Sequence, residues 1–437
     1  MKKICLTVVG MYFMLLHSFA QFKLRDSSST VGSYKSQKLK LEEVNLVSSY
    51  YNQTADKSSV MGGRTDSKGI GNVMDLGNGL DIKFVGWDPQ KRKNTITAGL
   101  GFDYHTAASQ AYVDSNGHAK NNGSRIYPTL DWSIENPKKG TEFGMGAYYS
   151  AEHNYYHSFG LNTSFAKKNK TNGEFSFKLT GYFDNIKMIK PSEFVPIDSV
   201  KNVASSDSIV YVTTASGRTQ AIVYQNGGIV SSGTGHNHLA SAARDTYTAS
   251  FGFSQVINPR MDASIALDLV YMNGYLGLPF HRVYFNNGKD TIENLPSQRF
   301  KIPIGLRLNY FLGDNIILRG FYRFYMDDWG LRSHTASLEV PIKITPFFSI
   351  SPFYRYYIQT AVRYFAPYEG HSPTDQYYTS NYALASFQSQ SFGMGIRLAP
   401  PKGVLIKSLS VLELRYNHYS QSTDLVADMV SLNLKFK

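Results

Sequence analysis

Phe300-Lys301-Ile302-Pro303-Ile304-Gly305-Leu306-Arg307-Leu308-Asn309-Tyr310 alternates without a break. Successive side chains of an extended chain point to opposite faces, so Phe300, Ile302, Ile304, Leu306, Leu308 and Tyr310 share one face. Lys301, Gly305, Arg307 and Asn309 share the other. A strand in a soluble sandwich usually stops after about five or six residues, whereas a tilted strand that crosses a bilayer needs about 9–11. The run has the membrane length.

The pattern recurs on both sides of this stretch. Ile96, Ala98, Leu100, Phe102 and Tyr104 oppose Thr97, Gly99, Gly101, Asp103 and His105. Phe175, Phe177, Leu179, Gly181 and Phe183 oppose Ser176, Lys178, Thr180, Tyr182 and Asp184. Met261, Ala263, Ile265, Leu267, Leu269 and Tyr271 oppose Asp262, Ser264, Ala266, Asp268 and Val270. The last segment alternates to the end, with Val430, Leu432, Leu434 and Phe436 on one face, as a closing strand with a terminal aromatic does.

The connections come in two kinds that take turns. Tight ones fall at Asp88-Pro89, Asn136 to Gly140, Asn169 to Gly173, Asn258-Pro259, Gly313 to Asn315, Thr345-Pro346 and Ala399 to Pro401. Long polar ones fall at Asp56 to Asn78, Ala107 to Ser124, Asn185 to Arg244, Asn273 to Gln298 and Arg363 to Asn381, with short exceptions near Glu152, Asp328-Trp329-Gly330 and Ser420. Short periplasmic turns facing long extracellular loops are the habit of outer-membrane barrels. The fold expected is therefore all-β: a transmembrane antiparallel up-and-down barrel over 39–437, of about sixteen strands or else fourteen, in the cell outer membrane. The large loop at about 185–244 contains Ile209-Val210-Tyr211-Val212, which reads as an extracellular hairpin and as the element to contact a partner.

Ahead of the barrel, Lys2 and Lys3 precede an apolar run from Ile4 to Leu16, and Ser18-Phe19-Ala20 ends it with small residues. That is a secretory signal over 1–20, too short to span a bilayer of roughly 30 Å as a helix. Residues 21–38, polar and unpatterned, read as a flexible periplasmic segment. Cys5, the sole cysteine, lies in the signal, which leaves the mature chain no thiol chemistry. The 31 Tyr and 27 Phe fit aromatic girdles, and a mean hydropathy of −0.28 with no later run of about 18 apolar residues excludes helical spans. A net charge of +12 is dispersed rather than gathered in a stripe, which argues against nucleic acid. The expected partners are outer-membrane lipid, the barrel-insertion machinery and envelope proteins.

Several blocks resemble an uncharacterised outer-membrane barrel family of Bacteroidota known as a domain of unknown function. They are Tyr50-Tyr51-Asn52-Gln53 with Gly62-Gly63, Asp103 to Ser109, Gln255 to Arg260, Gly274 to Phe280, Tyr322 to Gly330 with Ser333-His334-Thr335, Tyr354 to Tyr357, and Tyr378 to Tyr382. Asn381 stands where the family pattern has Asp, and Thr65 to Lys68 departs from its Gly-Thr-Glu type continuation. The resemblance implies a barrel often encoded beside thioredoxin-like and flavin-attachment proteins, hence extracytoplasmic redox traffic. It implies no activity.

Parity sends charge inward. If the apolar sets face lipid, then Asp103, Glu152, Asp184, Asp268, Arg307, Arg323, Asp327 and Arg355 line the lumen, because a charge facing the bilayer midplane costs about 2–4 kcal/mol. Wall structure is the first reading of these residues, recognition of a permeant the second, catalysis the last. The functional expectation is a partly occluded pore or an envelope-complex scaffold. The enzymatic alternative is a hydrolase at the rim built from Asp327, Asp328 and His334. No cofactor and no metal site are expected, since His153 and His157 near Glu152 flank a hairpin tip that fixes no common face.

Overall fold

The computed structural model describes residues 36–55, 72–106, 122–152, 155–188, 208–213, 219–225, 228–230 and 241–437. The expected signal peptide, and residues 21–35 of the segment after it, lie outside the described residues. The compact unit runs from Gln37 to Lys437. Its strands are β1 (Gln37–Ala55), β2 (Val73–Trp87), β3 (Lys93–Thr106), β4 (Asn122–Asn136), β5 (Thr141–Glu152), β6 (Tyr156–Lys168), β7 (Gly173–Lys187), β8 (Ser208–Thr213), β9 (Thr219–Gln225), β10 (Gly228–Val230) and β11 (Ser241–Asn258). They continue as β12 (Met261–Gly274), β13 (Arg282–Tyr284), β14 (Asp290–Ile292), β15 (Gln298–Leu312), β16 (Ile316–Asp327), β17 (Arg332–Glu339), β18 (Ile342–Thr345), β19 (Phe348–Gln359), β20 (Phe387–Leu398), β21 (Leu409–Gln421) and β22 (Leu425–Phe436).

Seventeen of these form one antiparallel sheet, and β22 pairs with β1, with Tyr51 opposite Met429, so the sheet closes on itself. Strands β17 and β18 are two halves of one stave, interrupted at Val340-Pro341 where proline has no N–H to give the ladder, and the barrel has sixteen staves. Neighbours in sequence are neighbours in the sheet throughout, which is the up-and-down order.

Large apolar side chains stay exposed along one parity all round the wall. Leu130, Met145, Leu161, Leu179, Ile265, Leu306, Leu338, Met394 and Leu414 are examples. Continuous apolar exposure far beyond a few hundred Å² is foreign to a soluble surface, and a closed barrel leaves no unpaired edge to the bilayer. Aromatic rings mark both rims of this belt: Trp132, Phe143, Phe165 and Phe175 toward the short turns, and Tyr149, Tyr247 and Tyr271 toward the long loops. The chain is an outer-membrane β-barrel, with β1 starting and β22 ending on the short-turn side.

The turns explain themselves locally. Asn169 Oδ1 accepts from the backbone N–H groups of Thr171 and Gly173 at 2.9 and 2.6 Å, and Asn172 and Gly140 adopt positive φ. Several loop boundaries differ from the sequence reading. The stretch expected to be a loop as far as Asn78 becomes strand at Val73, because Gly77-Asn78-Gly79 sits in a paired stave where Asn78 accepts from Ser48 Oγ at 3.0 Å. The large loop is trimmed at both ends, with β7 reaching Lys187 and β11 starting at Ser241, and it carries the three-stranded sheet β10-β9-β8.

Candidate functional site: the lumen and its extracellular cap

The eight charged positions named from parity alternate with the exposed apolar side chains of their own strands. Register sets them in order: Asp103 faces Arg125, which faces Glu152, and Asp184 faces Arg244. Arg125 donates from Nε to Asp103 Oδ2 at 2.9 Å, and Tyr127 donates to Asp103 Oδ1 at 2.9 Å. Glu152 lies 3.3 Å from His105 Nε2. Arg244 Nη2 lies 2.6 Å from Asp184. Midway along β21 Arg415 pairs with Glu413 on its own strand and with Glu339 three strands away, at 2.5 and 2.6 Å. Asp268 makes no ion pair with a described residue.

Three inward rings lie along the wall rather than across the lumen. Tyr127 lies over Gly101 on the neighbouring stave, Tyr182 over Gly160 and Phe353 over Gly393, so closely that a Cβ on any of these glycines would collide with the ring. Glycine here is a recess that lets an aromatic lie flat against the wall.

Asp327 ends the open wall and begins the cap. Its side chain is fully buried, pairs with Arg299, accepts from Tyr325 Oη at 2.7 Å and accepts from the Leu331 backbone N–H at 3.0 Å. Arg299 in turn lies 4.3 Å over the ring of Trp329, whose Nε1 donates to Gln298 O at 2.9 Å. Trp329, Leu331 and Val362 form a buried core joined by Leu276, Leu295, Tyr325, Tyr364, Phe365 and Leu384. Two connections, 275–297 and 360–386, thus fold together over the lumen side of β16. Two backbone bridges tie them, Phe285 to His371 and Asn294 to Tyr378, and a third, Phe365 to Thr379, folds the second connection on itself.

Inside the cap Glu293 accepts from the Leu278 N–H at 2.5 Å and from Thr379 Oγ1 at 2.6 Å. Burial pushes its carboxyl up to about 7, against the pull of those two hydrogen bonds. His281, 3.7 Å away, is pushed down to about 3 by burial and by the charge of Arg282. Near neutral pH the imidazole is uncharged, and the carboxyl is on the edge of ionising.

The rim residues considered for hydrolysis are not brought together. Asp327 points inward to Arg299, Asp328 Oδ1 accepts from the Phe300 N–H of β15 at 3.0 Å, and His334 points to the lipid side, bonded to Tyr322 Oη at 2.7 Å. A nucleophile and its base on opposite faces of a wall have no shared substrate position. Glu152 and His157 likewise face opposite sides, and His153 lies outside the described residues. Among the described residues no three His, Cys, Asp or Glu side chains gather as metal ligands. The cap itself escaped the sequence reading, which took both connections as polar loops. Its signal was the apolar density of Leu276, Leu278, Phe280, Val283, Tyr284 and Phe285 in a supposed solvent loop.

The model of a family described as protein of unknown function (DUF3570) matches residues 89–428, and the chain belongs to that family. No curated protein matches. Among solved structures the chain is similar to Pseudomonas aeruginosa OccK1 (OpdK), at 8% identity over 90% of this chain and 97% of that one, with a TM-score of 0.33. It is similar to Pseudomonas aeruginosa OpdO, at 9% over 92% and 96% with 0.35, and to a bacterial polysaccharide outer membrane secretin, at 8% over 90% and 98% with 0.41. Agreement at this level leaves the chain's own geometry to carry every functional conclusion.

Proposed function

We propose that this DUF3570 member is a passive channel for small polar solutes, narrowed at its extracellular mouth by the folded cap. The observation that carries the reading is the recessed aromatic wall. Tyr127, Tyr182 and Phe353 lie on glycines rather than across the bore, beside a lining of charged and hydroxyl side chains. Sixteen staves also leave a bore too wide for wall side chains alone to fill. A barrel built only to hold partners at its rim has no use for glycine recesses in mid-wall.

Swelling of liposomes carrying the purified full chain in a small neutral sugar tests this. Swelling is expected for the native protein and reduced for Gly101→Phe, which drives Tyr127 off the wall. A native barrel that folds and inserts but never swells the liposomes would favour the scaffold reading instead.

A further inference from the structure

Nine arginines project into the lumen from the described staves, and six have a carboxylate partner: Arg125, Arg244, Arg299, Arg319, Arg397 and Arg415. The remaining three, Arg307, Arg323 and Arg355, form no hydrogen bond or ion pair with a described residue. They are also neighbours. Arg307, Phe321, Ser337 and Arg355 lie on one rung across β15, β16, β17 and β19. Arg323 stands on the next inward rung of β16, directly between Gly305 and Thr335. With strands about 4.8 Å apart, the backbones of Arg307 and Arg355 are separated by about 14 Å of wall, and Arg323 falls between them. Arg307 leans that way, its guanidinium 5.9 Å over the Phe321 ring.

A second observation falls on the same spot. Thr335 is 1% exposed and its hydroxyl has no partner, and the Nε of Arg323, its cross-strand neighbour, is buried and has none either. Buried polar atoms are normally hydrogen-bonded, and two orphans facing one another beside uncompensated positive charge ask for an acceptor that carries negative charge. Asp268, the unpaired inward acid two staves from Arg323, pairs with none of the three arginines.

We propose that Arg307, Arg323 and Arg355, with the Thr335 hydroxyl, form a lumenal binding site for small oxyanions, solutes that carry a carboxylate or phosphoryl group. Guanidinium forks match such groups by paired N–H donation, and three on one wall hold an anion without trapping it between opposing charges. The preference of the pore for anions over cations follows from this site and rests on the channel reading; binding itself does not.

Calorimetric titration of the detergent-purified full chain with succinate, with inorganic phosphate and with uncharged glycerol tests the site apart from the pore. Succinate or phosphate is expected to bind and glycerol not, with R307Q/R323Q/R355Q losing about tenfold in affinity for each guanidinium removed. The conservative Arg323→Lys keeps the charge but not the fork, so intermediate affinity is expected should the triple variant fail to show the compact unboiled band. Planar-bilayer reversal potentials in a KCl gradient are read on the same samples, with chloride preference expected for the native chain and lost in the triple variant. Current without anion preference and without binding overturns the site and leaves the channel standing. Binding without any current upholds the site and overturns the channel.

Discussion

The wall and the cap of this molecule obey opposite rules. In the wall Leu306, Leu308 and Ile304 are exposed outward while Arg307 and Gly305 turn inward; in the cap Trp329, Val283 and Val362 are buried, together with the polar side chains of His281, Arg282 and Glu293. One chain solves two solvents. The wall exchanges water for lipid on its apolar face and needs only a closed ladder to satisfy its backbone. The cap stands in water and needs a packed core of its own, which two loops about 86 residues apart build together, as the Thr379 to Glu293 bond illustrates.

That difference is broken most severely at Trp329. Trp329→Ala removes the centre of the cap core, a change that costs about 3–5 kcal/mol in a packed interior, yet it lies off the lipid-facing belt and meets the wall on its lumen side, at Gln298, Arg299 and Tyr325. The cap is expected to open while the barrel persists: faster protease cleavage in 275–297 and 360–386, larger single-channel current, unchanged heat-modifiable band. Loss of the compact band would mean that cap and wall fold as one unit.

A smaller effect, about 2–4 kcal/mol, is expected at Leu306, whose side chain faces lipid. Leu306→Arg is expected to lower the yield of folded barrel in refolding into lipid vesicles, whereas Leu306→Phe is tolerated. Equal tolerance of both would remove the belt from the lipid.

The smallest and sharpest test is pH. Glu293 has a folded value raised to about 7, so its contribution to cap stability is fully present below its ordinary value and is lost as pH rises through about 7. His281 has a folded value lowered to about 3, so its contribution is present above its ordinary value and is lost as pH falls toward about 3. The two slopes oppose each other in mildly acidic solution. In Glu293→Gln only the histidine slope survives, so protease resistance of the cap is expected to rise at pH above about 7 and to fall more steeply on acidification. An unchanged profile would show that the carboxyl is already ionised and paired.

The same contrast decides what was legible in the sequence. The staves were, because lipid imposes a period of two that can be read along any single segment, as at Phe300 to Tyr310 or Val430 to Phe436. Errors arose where glycine or asparagine mimicked a turn inside a stave, at Gly77-Asn78-Gly79. The inward direction of Arg307, Arg323 and Arg355 follows from the same parity, but their lack of partners does not, because it depends on where every lumenal carboxylate goes. The cap was illegible for a further reason: its core joins residues near 280, 329, 362 and 384, none adjacent in sequence, with no periodicity linking them. His334 shows the limit of proximity in sequence, seven residues from Asp327 and yet on the other side of the wall.

Single-channel recording of the purified full chain, on a sample first shown to run as a compact unboiled band, tests the central claim most directly. The recessed lumen predicts stable unitary current in the native protein and a larger one in Trp329→Ala. A compact, inserted barrel that passes no current in either form would contradict it.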